Sequence, residues 1–245
     1  MRVLDGESTR MGVEAREASL VLRRQASAQQ PLADLADRLR TKPPQLVVTC
    51  ARGSSAHAAT FGKHLIERHL GIPVSAAAPN IASIYRTTLA LRDQLFLAVS
   101  QAGRSADIVE TAAMAKAAGA ITVAIVNDAG SPLADTCDIV LPMQAGPELS
   151  VAASKSFIAS LAMLLRLTAA WARDDGMQQG IDRLPERLDA AAELDWSGAL
   201  AILSRAQSGY GGLTQAFNSK LAELEIDGGG DVITGSKTIQ VEIKE

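Results

Sequence analysis

Three loops carry small polar residues at positions where they could bind an anion. They are Gly53-Ser54-Ser55, Ser100-Gln101-Ala102-Gly103-Arg104-Ser105 and Val151-Ala152-Ala153-Ser154-Lys155. The first two directly follow short apolar runs typical of buried strands, and all three lead into helix-forming sequence. Each turn then offers free backbone N–H groups, hydroxyl donors and the positive end of a helix dipole, a combination that binds a phosphate monoester without a metal ion.

Helix capping is the alternative explanation, because a serine before a helix is most often an N-cap. Three such turns at the ends of successive elements favour instead a shared pocket for a phosphorylated small molecule. A nucleotide site is disfavoured, since Arg52-Gly53-Ser54-Ser55-Ala56-His57 has one glycine where a dinucleotide fingerprint needs three. The sequence also contains no Walker loop.

The composition is that of a globular protein with an aliphatic core. Of 245 residues, 47% are hydrophobic, 21% are charged and 3% are aromatic, which predicts a core of Ala, Leu, Val and Ile between a sheet and its helices. The net charge of −3 gives no electrostatic reason to expect a nucleic-acid partner. The longest apolar stretch, residues 157–172, contains Arg166 and is too short to span a membrane, so no membrane partner is expected.

Cysteine and histidine usage favours neither redox nor metal chemistry. Cys50 and Cys137 form no CxxC pair, and the three histidines are not accompanied by other residues in the spacing of a metal-binding motif. We favour buried small thiols over a redox or metal role. No secretory leader is recognised. These features predict a cytoplasmic protein in a reducing compartment, with no metal ion and no cofactor.

Strands and helices alternate from residue 45 onward, which predicts an α/β fold. A parallel sheet with right-handed crossovers follows, giving a doubly wound, five-stranded, three-layer α/β/α domain in the flavodoxin-like order 2-1-3-4-5. This order places the loops after the first and third strands side by side, at the point where ligands bind. The predicted strands are 46–50, 74–77, 95–100, 121–126 and 139–141, and the predicted helices of this part are 54–70, 80–85, 105–118 and 151–173.

Taken together, the three loops resemble those of the SIS (sugar isomerase) domain family. Residues 50–58 are similar to the family's G-T/S-S-x-H-A turn, residues 100–107 to its S-Q-S-G-x-T/S loop, and residues 146–155 to its V-A-S/A-T/S-K helix start. The likeness covers residues 8–206. It is closest to the isomerase half of glutamine–fructose-6-phosphate aminotransferase and to glucosamine-6-phosphate deaminases.

The resemblance implies a role for each loop. Ser54 and Ser55 would face the sugar, and the 100–105 loop would cradle the phosphate through Ser100, Gln101 and Ser105. The third loop would contact the sugar through its backbone. The implied binding residues are Gly53, Ser54, Ser55, Ser100, Gln101, Ala102, Gly103, Ser105, Val151, Ala152 and Ala153.

The chain departs from the family pattern at two positions of the second loop. Ala102 replaces the usual serine and removes one hydroxyl from the phosphate cradle. Arg104 stands where the aminotransferase has Glu, and both a phosphate contact and a solvent-exposed position remain open for it. Lys155 either adds charge near the site or lies on the helix surface, and His57 either matches a family histidine or packs the helix.

The resemblance also divides the chain. Residues 1–44 would form N-terminal helices, 8–30 and 32–40, that pack on the domain or on a partner. Residues 45–175 would be the SIS domain. Residues 176–207, with helices at 181–194 and 197–206, would begin a second SIS unit, and residues 208–245 would be a divergent or truncated tail. We expect a homodimer, because SIS folds bury one side against a partner.

The implied reaction interconverts glucosamine 6-phosphate with fructose 6-phosphate and ammonia. The deaminase direction is favoured because no glutaminase segment with an N-terminal cysteine is recognised. The family's catalytic Glu and ring-opening His lie in a second domain that the sequence after Tyr210 does not match. No catalytic residue is therefore assigned, and we expect little turnover unless a partner chain supplies these groups. A non-catalytic sugar-phosphate sensor and a single-domain aldose–ketose phosphosugar isomerase are the alternatives.

Overall fold

A computed structural model of the chain describes residues 9–27, 30–150 and 153–203. Its strands are β1 (Val47–Ala51), β2 (Val74–Ala76), β3 (Leu95–Ser100), β4 (Ile121–Val126) and β5 (Ile139–Pro142). Its helices are α1 (Arg10–Arg16), α2 (Ala18–Ser27), α3 (Gln30–Thr41), α4 (Ser54–Leu70), α5 (Pro79–Ser83), α6 (Ala106–Ala117), α7 (Pro132–Thr136), α8 (Lys155–Ala172), α9 (Asp175–Asp182), α10 (Leu184–Ala192) and α11 (Ser197–Leu203).

The five strands form one parallel sheet in the order β2-β1-β3-β4-β5. Val47 pairs with Val74 on one side and with Leu95 on the other, so β1 lies between β2 and β3. The winding of the chain reverses between β1 and β3. This confirms the predicted doubly wound α/β fold and sets the loops that follow β1 and β3 next to each other.

Two apolar cores, one on each face of the sheet, explain why the central strands are almost wholly apolar. Alternate β3 residues such as Leu97 pack with α2, α3, α4 and α8. Their neighbours such as Phe96 pack with α6 and α7. Every residue of β3 and β4 is buried, as expected for parallel strands covered on both faces.

The single N-terminal helix predicted over residues 8–30 is wrong, because the chain forms α1 and α2 with a break at Glu17. The N–H of Glu17 is shared between the carbonyls of Val13 and Glu14, each at 3.2 Å. Its carboxylate contacts Lys155 Nζ at 2.5 Å. This ion pair joins residues far apart in the chain, so local sequence does not show it.

Two further helix predictions are corrected. The helix predicted over 181–194 is divided between α9 and α10, because Pro185 lacks an N–H and fits only the first turn of a new helix. The helix predicted from Val151 begins at Lys155, after its N-cap residue Ser154. Val151 and Ala152 themselves lie outside the described residues.

The chain separates into two compact units, Met1–Asp189 and Ala190–Glu245. The first holds the sheet. Of the second, the structure describes residues 190–203, including α11. The predicted tail, 208–245, and the end of the helix predicted over 197–206 lie outside the described residues. The domain limits at 44, 175 and 207 stay predictions.

Helix α8 passes a test of length and composition for a membrane span, with a mean hydropathy of 1.2 over Lys155–Ala172. Within the fold, 67% of this stretch is buried. It packs against α2, α3 and α4, as the core helix of a folded domain does. Arg166 lies within it, 4% exposed, and donates to the Leu22 carbonyl at 3.2 Å.

Candidate functional site

The turn between β1 and α4 is built on Gly53. Its backbone, with φ 54° and ψ −135°, is one that residues with a Cβ avoid, and it turns the chain from the sheet edge into the helix. Ser54 and Ser55 occupy the first two helical positions. No side chain in the described part of the protein caps this helix start, so its first N–H groups are available to a ligand.

The turn between β3 and α6 is held by its own serine. Ser100 is 8% exposed, and its hydroxyl oxygen accepts from the N–H of Gly103 at 3.1 Å. Gly103 has φ 63°, and a Cβ there would overlap Ser131, lying 2.6 Å from that residue's Cβ. The Gly103 carbonyl accepts from the N–H of Leu133 at 3.1 Å. This loop is therefore a fixed platform rather than a loose one.

Helix α6 starts beside that platform with an unused hydroxyl. Ser105 is its N-cap residue, but its side chain makes no capping hydrogen bond and is exposed. Asp107 lies in the first turn, and its carboxylate pairs with Arg52 at 3.1 Å. An anion approaching this helix start meets a hydroxyl, free backbone N–H groups and one arginine.

The third helix start, that of α8, is already occupied by a carboxylate. Glu148 accepts from the N–H groups of Ser154, Lys155 and Ser156 at 2.5, 3.0 and 3.2 Å, and also from the Ser156 hydroxyl. A carboxylate at a helix N-terminus satisfies its free donors and its dipole. The first N–H groups of α8 are therefore bound within the chain, in contrast to those at the starts of α4 and α6.

The loop before α8 is fixed from the N-terminal side of the chain. Glu14 of α1, 6% exposed, accepts from the N–H groups of Leu149 and Ser150 at 2.5 and 3.1 Å, and from the Ser150 hydroxyl. The hydrogen bond from the Leu149 N–H is the largest cause that lowers the pKa of Glu14 below its usual value. From the end of β4, Asn127 donates to the Gly146 carbonyl at 2.7 Å.

The three loops meet around one cleft of about 290 Å³. It contains four of the predicted site residues: Ser54, Ser55, Gln101 and Ala153. Five further residues complete its wall: Arg52, Met143, Ser156, Phe157 and Ser160. Hydroxyl groups from two helix starts and one amide thus face a space large enough for a small polar ligand.

A wider neighbouring cavity, about 940 Å³, lies on the α6 side of the same edge. Gly53 and Ser105 line it, and Arg52 lines both spaces. Three other predicted residues line neither: Ser100 and Gly103 are buried in the loop framework and Ala102 is exposed. Of the eleven predicted residues, Val151 and Ala152 lie outside the described part of the chain.

A model of the SIS domain matches residues 42–170, more than half of the chain. The chain belongs to the SIS domain family. It is 35% identical over 161 residues to the isomerising glutamine–fructose-6-phosphate aminotransferase of Symbiobacterium thermophilum, an alignment that covers 61% of this chain and 26% of that enzyme. The SIS chain thus matches about a quarter of the length of that relative.

Solved structures give the same family. A candidate phosphosugar isomerase from Silicibacter pomeroyi DSS-3 superposes with a TM-score of 0.80 at 33% identity, over 96% of this chain and 81% of that one. The NanR protein of Vibrio vulnificus, solved with ManNAc-6P, superposes with a TM-score of 0.55 at 16% identity, over 74% and 69% of the two chains. The NanR likeness is one of fold.

The structure decides between the alternatives left open for Arg104 and differs from both alternatives for Lys155. Lys155 is neither a surface residue nor a site residue, because it is 3% exposed and paired with Glu17. Arg104 is exposed and pairs with Asp128 at 2.8 Å, away from both cavities. His57 is exposed on α4 rather than packed against the core.

Arg52 is the site residue that the sequence reasoning missed. The loop motif includes it without a role, although it is the first residue after β1 and so lies at the carboxyl edge of the sheet. That position is the available signal, since side chains beyond the ends of parallel strands face the ligand crevice.

The cysteines of the SIS domain are free and buried. Burial raises the pKa of both the Cys50 and the Cys137 thiol to about 12, so neither is a thiolate near neutrality. This agrees with the prediction of structural thiols. Among residues 9–27, 30–150 and 153–203, no three His, Cys, Asp or Glu side chains gather as a metal site.

Proposed function

We propose that this SIS domain binds a phosphorylated hexose, of the amino-sugar 6-phosphate class, in the cleft between the first turns of α4, α6 and α8. One observation carries the proposal: the open start of α4 lines both the cleft and the wider cavity, and the open start of α6 lines that wider cavity, whereas the start of α8 is filled by Glu148. Such donors bind a phosphate monoester without a metal ion.

The named ligands of relatives support this class of ligand. The aminotransferase relative is named for fructose 6-phosphate, and NanR was solved with ManNAc-6P. Both compounds are hexose 6-phosphates. In this chain the phosphate would bind the loops 53–55 and 100–105, and the sugar hydroxyls would face Ser54, Ser55 and the wall at Ala153.

For the reaction, we propose interconversion of glucosamine 6-phosphate and water with fructose 6-phosphate and ammonia, the water hydrolysing the imine that forms after the proton transfer. This needs a group that moves a proton between two adjacent carbons. The described residues that line the cleft include no His, Asp or Glu, so the base must come from elsewhere. The same observation favours a second candidate, a sugar-phosphate sensor that binds without turnover.

Isothermal titration calorimetry of the whole chain tests the binding. Glucosamine 6-phosphate and fructose 6-phosphate should bind, and glucosamine and fructose should bind at least tenfold more weakly, because the donors at α4 and α6 are matched to a charged oxygen. Equal affinity for a sugar and its phosphate would contradict the proposal. An assay of released ammonia then separates the candidates: measurable release supports the deaminase, and tight binding with background release supports the sensor.

A further inference from the structure

Arg52 lies where the two cavities of the site meet. It lines the cleft together with Ser54, Ser55 and Gln101, and it lines the wider cavity together with Ser105 and Asp107. Its side chain is 67% exposed, so its guanidinium is accessible from solvent. An ion pair from NH1 to Asp107 Oδ2 at 3.1 Å holds it over the first turn of α6.

The positive charge of the site comes from this arginine. Among the described residues that line the cleft and the wider cavity, Arg52 alone is a Lys or Arg. The two other basic residues of the predicted loops are engaged elsewhere, Lys155 by Glu17 and Arg104 by Asp128. A phosphate dianion entering the site would therefore meet the guanidinium of Arg52 beside the free N–H groups of α4 and α6.

A cation is needed at this site because Asp107 carries a negative charge. Its carboxylate, in the first turn of α6, would repel a phosphate at the same helix start. Arg52 NH1 lies 3.1 Å from Asp107 Oδ2 and offsets its charge, and a guanidinium has five N–H donors in a planar fork. The remaining donors can bind phosphate oxygens while the contact with Asp107 is kept.

We propose that Arg52 is the phosphate-binding cation of this site, held in place by Asp107, and that it selects phosphorylated over neutral sugars. It would compensate for Ala102, which contributes no hydroxyl to the second loop. This inference rests on the proposed function, since it names the residue that binds the ligand's phosphate.

Calorimetry on matched variants tests it. Arg52→Ala should weaken binding of glucosamine 6-phosphate at least tenfold, equivalent to about 1.4 kcal/mol, and should leave the weak binding of glucosamine unchanged. Arg52→Lys should recover part of the loss, because an ammonium keeps the charge but not the fork. Arg104→Ala is the control: it removes a nearby arginine that lines neither cavity, and affinity should stay within twofold. Thermal melting of each variant verifies that it is folded.

The outcomes separate the two proposals. If the unsubstituted protein binds phosphosugars and Arg52→Ala binds them equally well, the assignment of Arg52 is overturned and the proposed function stands. An equal loss in Arg104→Ala also overturns it, since the effect would then be one of overall charge. If the unsubstituted protein binds no phosphosugar, the proposed function fails and the role of Arg52 fails with it.

Discussion

Ser100 and Ser105 begin and end the same loop but use their hydroxyl groups differently. The Ser100 hydroxyl accepts from the buried N–H of Gly103, so it shapes the loop, and Ser100 itself lines neither cavity. The Ser105 hydroxyl is exposed and makes no capping bond. Substituting each serine in turn therefore distinguishes the contribution of the loop to stability from its contribution to ligand affinity.

The variant Ser100→Ala should lose both stability and affinity for a phosphosugar. It leaves the N–H of Gly103 without its acceptor, at a cost of about 1–3 kcal/mol in the free energy of unfolding, and it should weaken phosphosugar binding by about 1–2 kcal/mol. Ser105→Ala, its matched control, should keep the free energy of unfolding within about 0.5 kcal/mol and lose affinity alone. Denaturant unfolding and calorimetry measure the two quantities. A stability loss in Ser100→Ala with unchanged affinity would make that serine purely structural.

Charge at the site shows what a sequence can predict for single residues. The turn residues Ser54 and Ser55 follow from local pattern, and they do line the cleft. The partners of Arg52, Arg104 and Lys155 depend on which elements lie side by side, and sequence spacing does not encode those contacts. For that reason the sequence left the roles of Arg104 and Lys155 open, whereas the residue that lines both cavities is Arg52.

Helix α1 acts on the site through Glu14, whose carboxylate holds the loop before α8. Hydrogen bonding in the fold lowers the pKa of Glu14 below the usual 4.5. A carboxyl whose pKa is lowered by folding stabilises the protein above its unfolded pKa, and this contribution is lost as the pH falls through the folded pKa. Acid should therefore loosen the loop that leads to Ala153.

We predict that Glu14→Gln is less stable at pH 7 than the unsubstituted protein, and that this difference shrinks as the pH falls below the usual pKa of 4.5. Its affinity for glucosamine 6-phosphate should fall, because the wall at Ala153 is less well fixed. Asp93→Asn is the control, since a hydrogen bond from Lys42 lowers the pKa of Asp93 far from this loop. Asp93→Asn should change the free energy of unfolding at acid pH, but it should not change the affinity for glucosamine 6-phosphate. Denaturant unfolding against pH and calorimetry report the two effects, and unchanged affinity in Glu14→Gln would refute the link.

The elements themselves were predictable where apolar pattern alone decides them. The bounds of β3 and β4 match their apolar runs, because strands buried on both faces need continuous apolar sequence. The ends of α4 follow from Gly53 and from Gly71, whose φ of 67° suits a helix C-cap. The break at Glu17 was missed because no proline or glycine between Val13 and Val21 marks it.

On the scale of the whole molecule, the N-terminal helices rather than α8 offer an apolar surface for the expected homodimer. Helix α8 does not offer an apolar surface, because 67% of it is buried inside the fold. The N-terminal helices still expose Val13 at 49% and Leu20 at 55%, next to Leu149 at 66%, around a cavity of about 560 Å³. Exposed apolar residues grouped in this way favour contact with a second copy.

Sedimentation velocity should therefore give the mass of a dimer at micromolar concentration. Leu20→Ser should shift the protein toward monomer, because it removes apolar area from the N-terminal surface. Ile84→Ser is the control, since Ile84 is 71% exposed and lines the wider cavity of the site rather than that surface. A monomer for the unsubstituted chain, or an equal shift in both variants, would contradict this prediction.

The carboxylate of Glu148 on the start of α8 makes the cleft electrically asymmetric. One side presents Arg52 and the open start of α4, and the other presents a helix start whose donors are already bound. Under the proposed function, a ligand with a dianion at one end and hydroxyls at the other would bind with its phosphate toward Arg52. A hexose carrying its phosphate on carbon 1 instead of carbon 6 would lie reversed along the cleft, with different carbons presented to the wall at Ala153. Glu148 would thus set the orientation of the ligand without contacting the sugar.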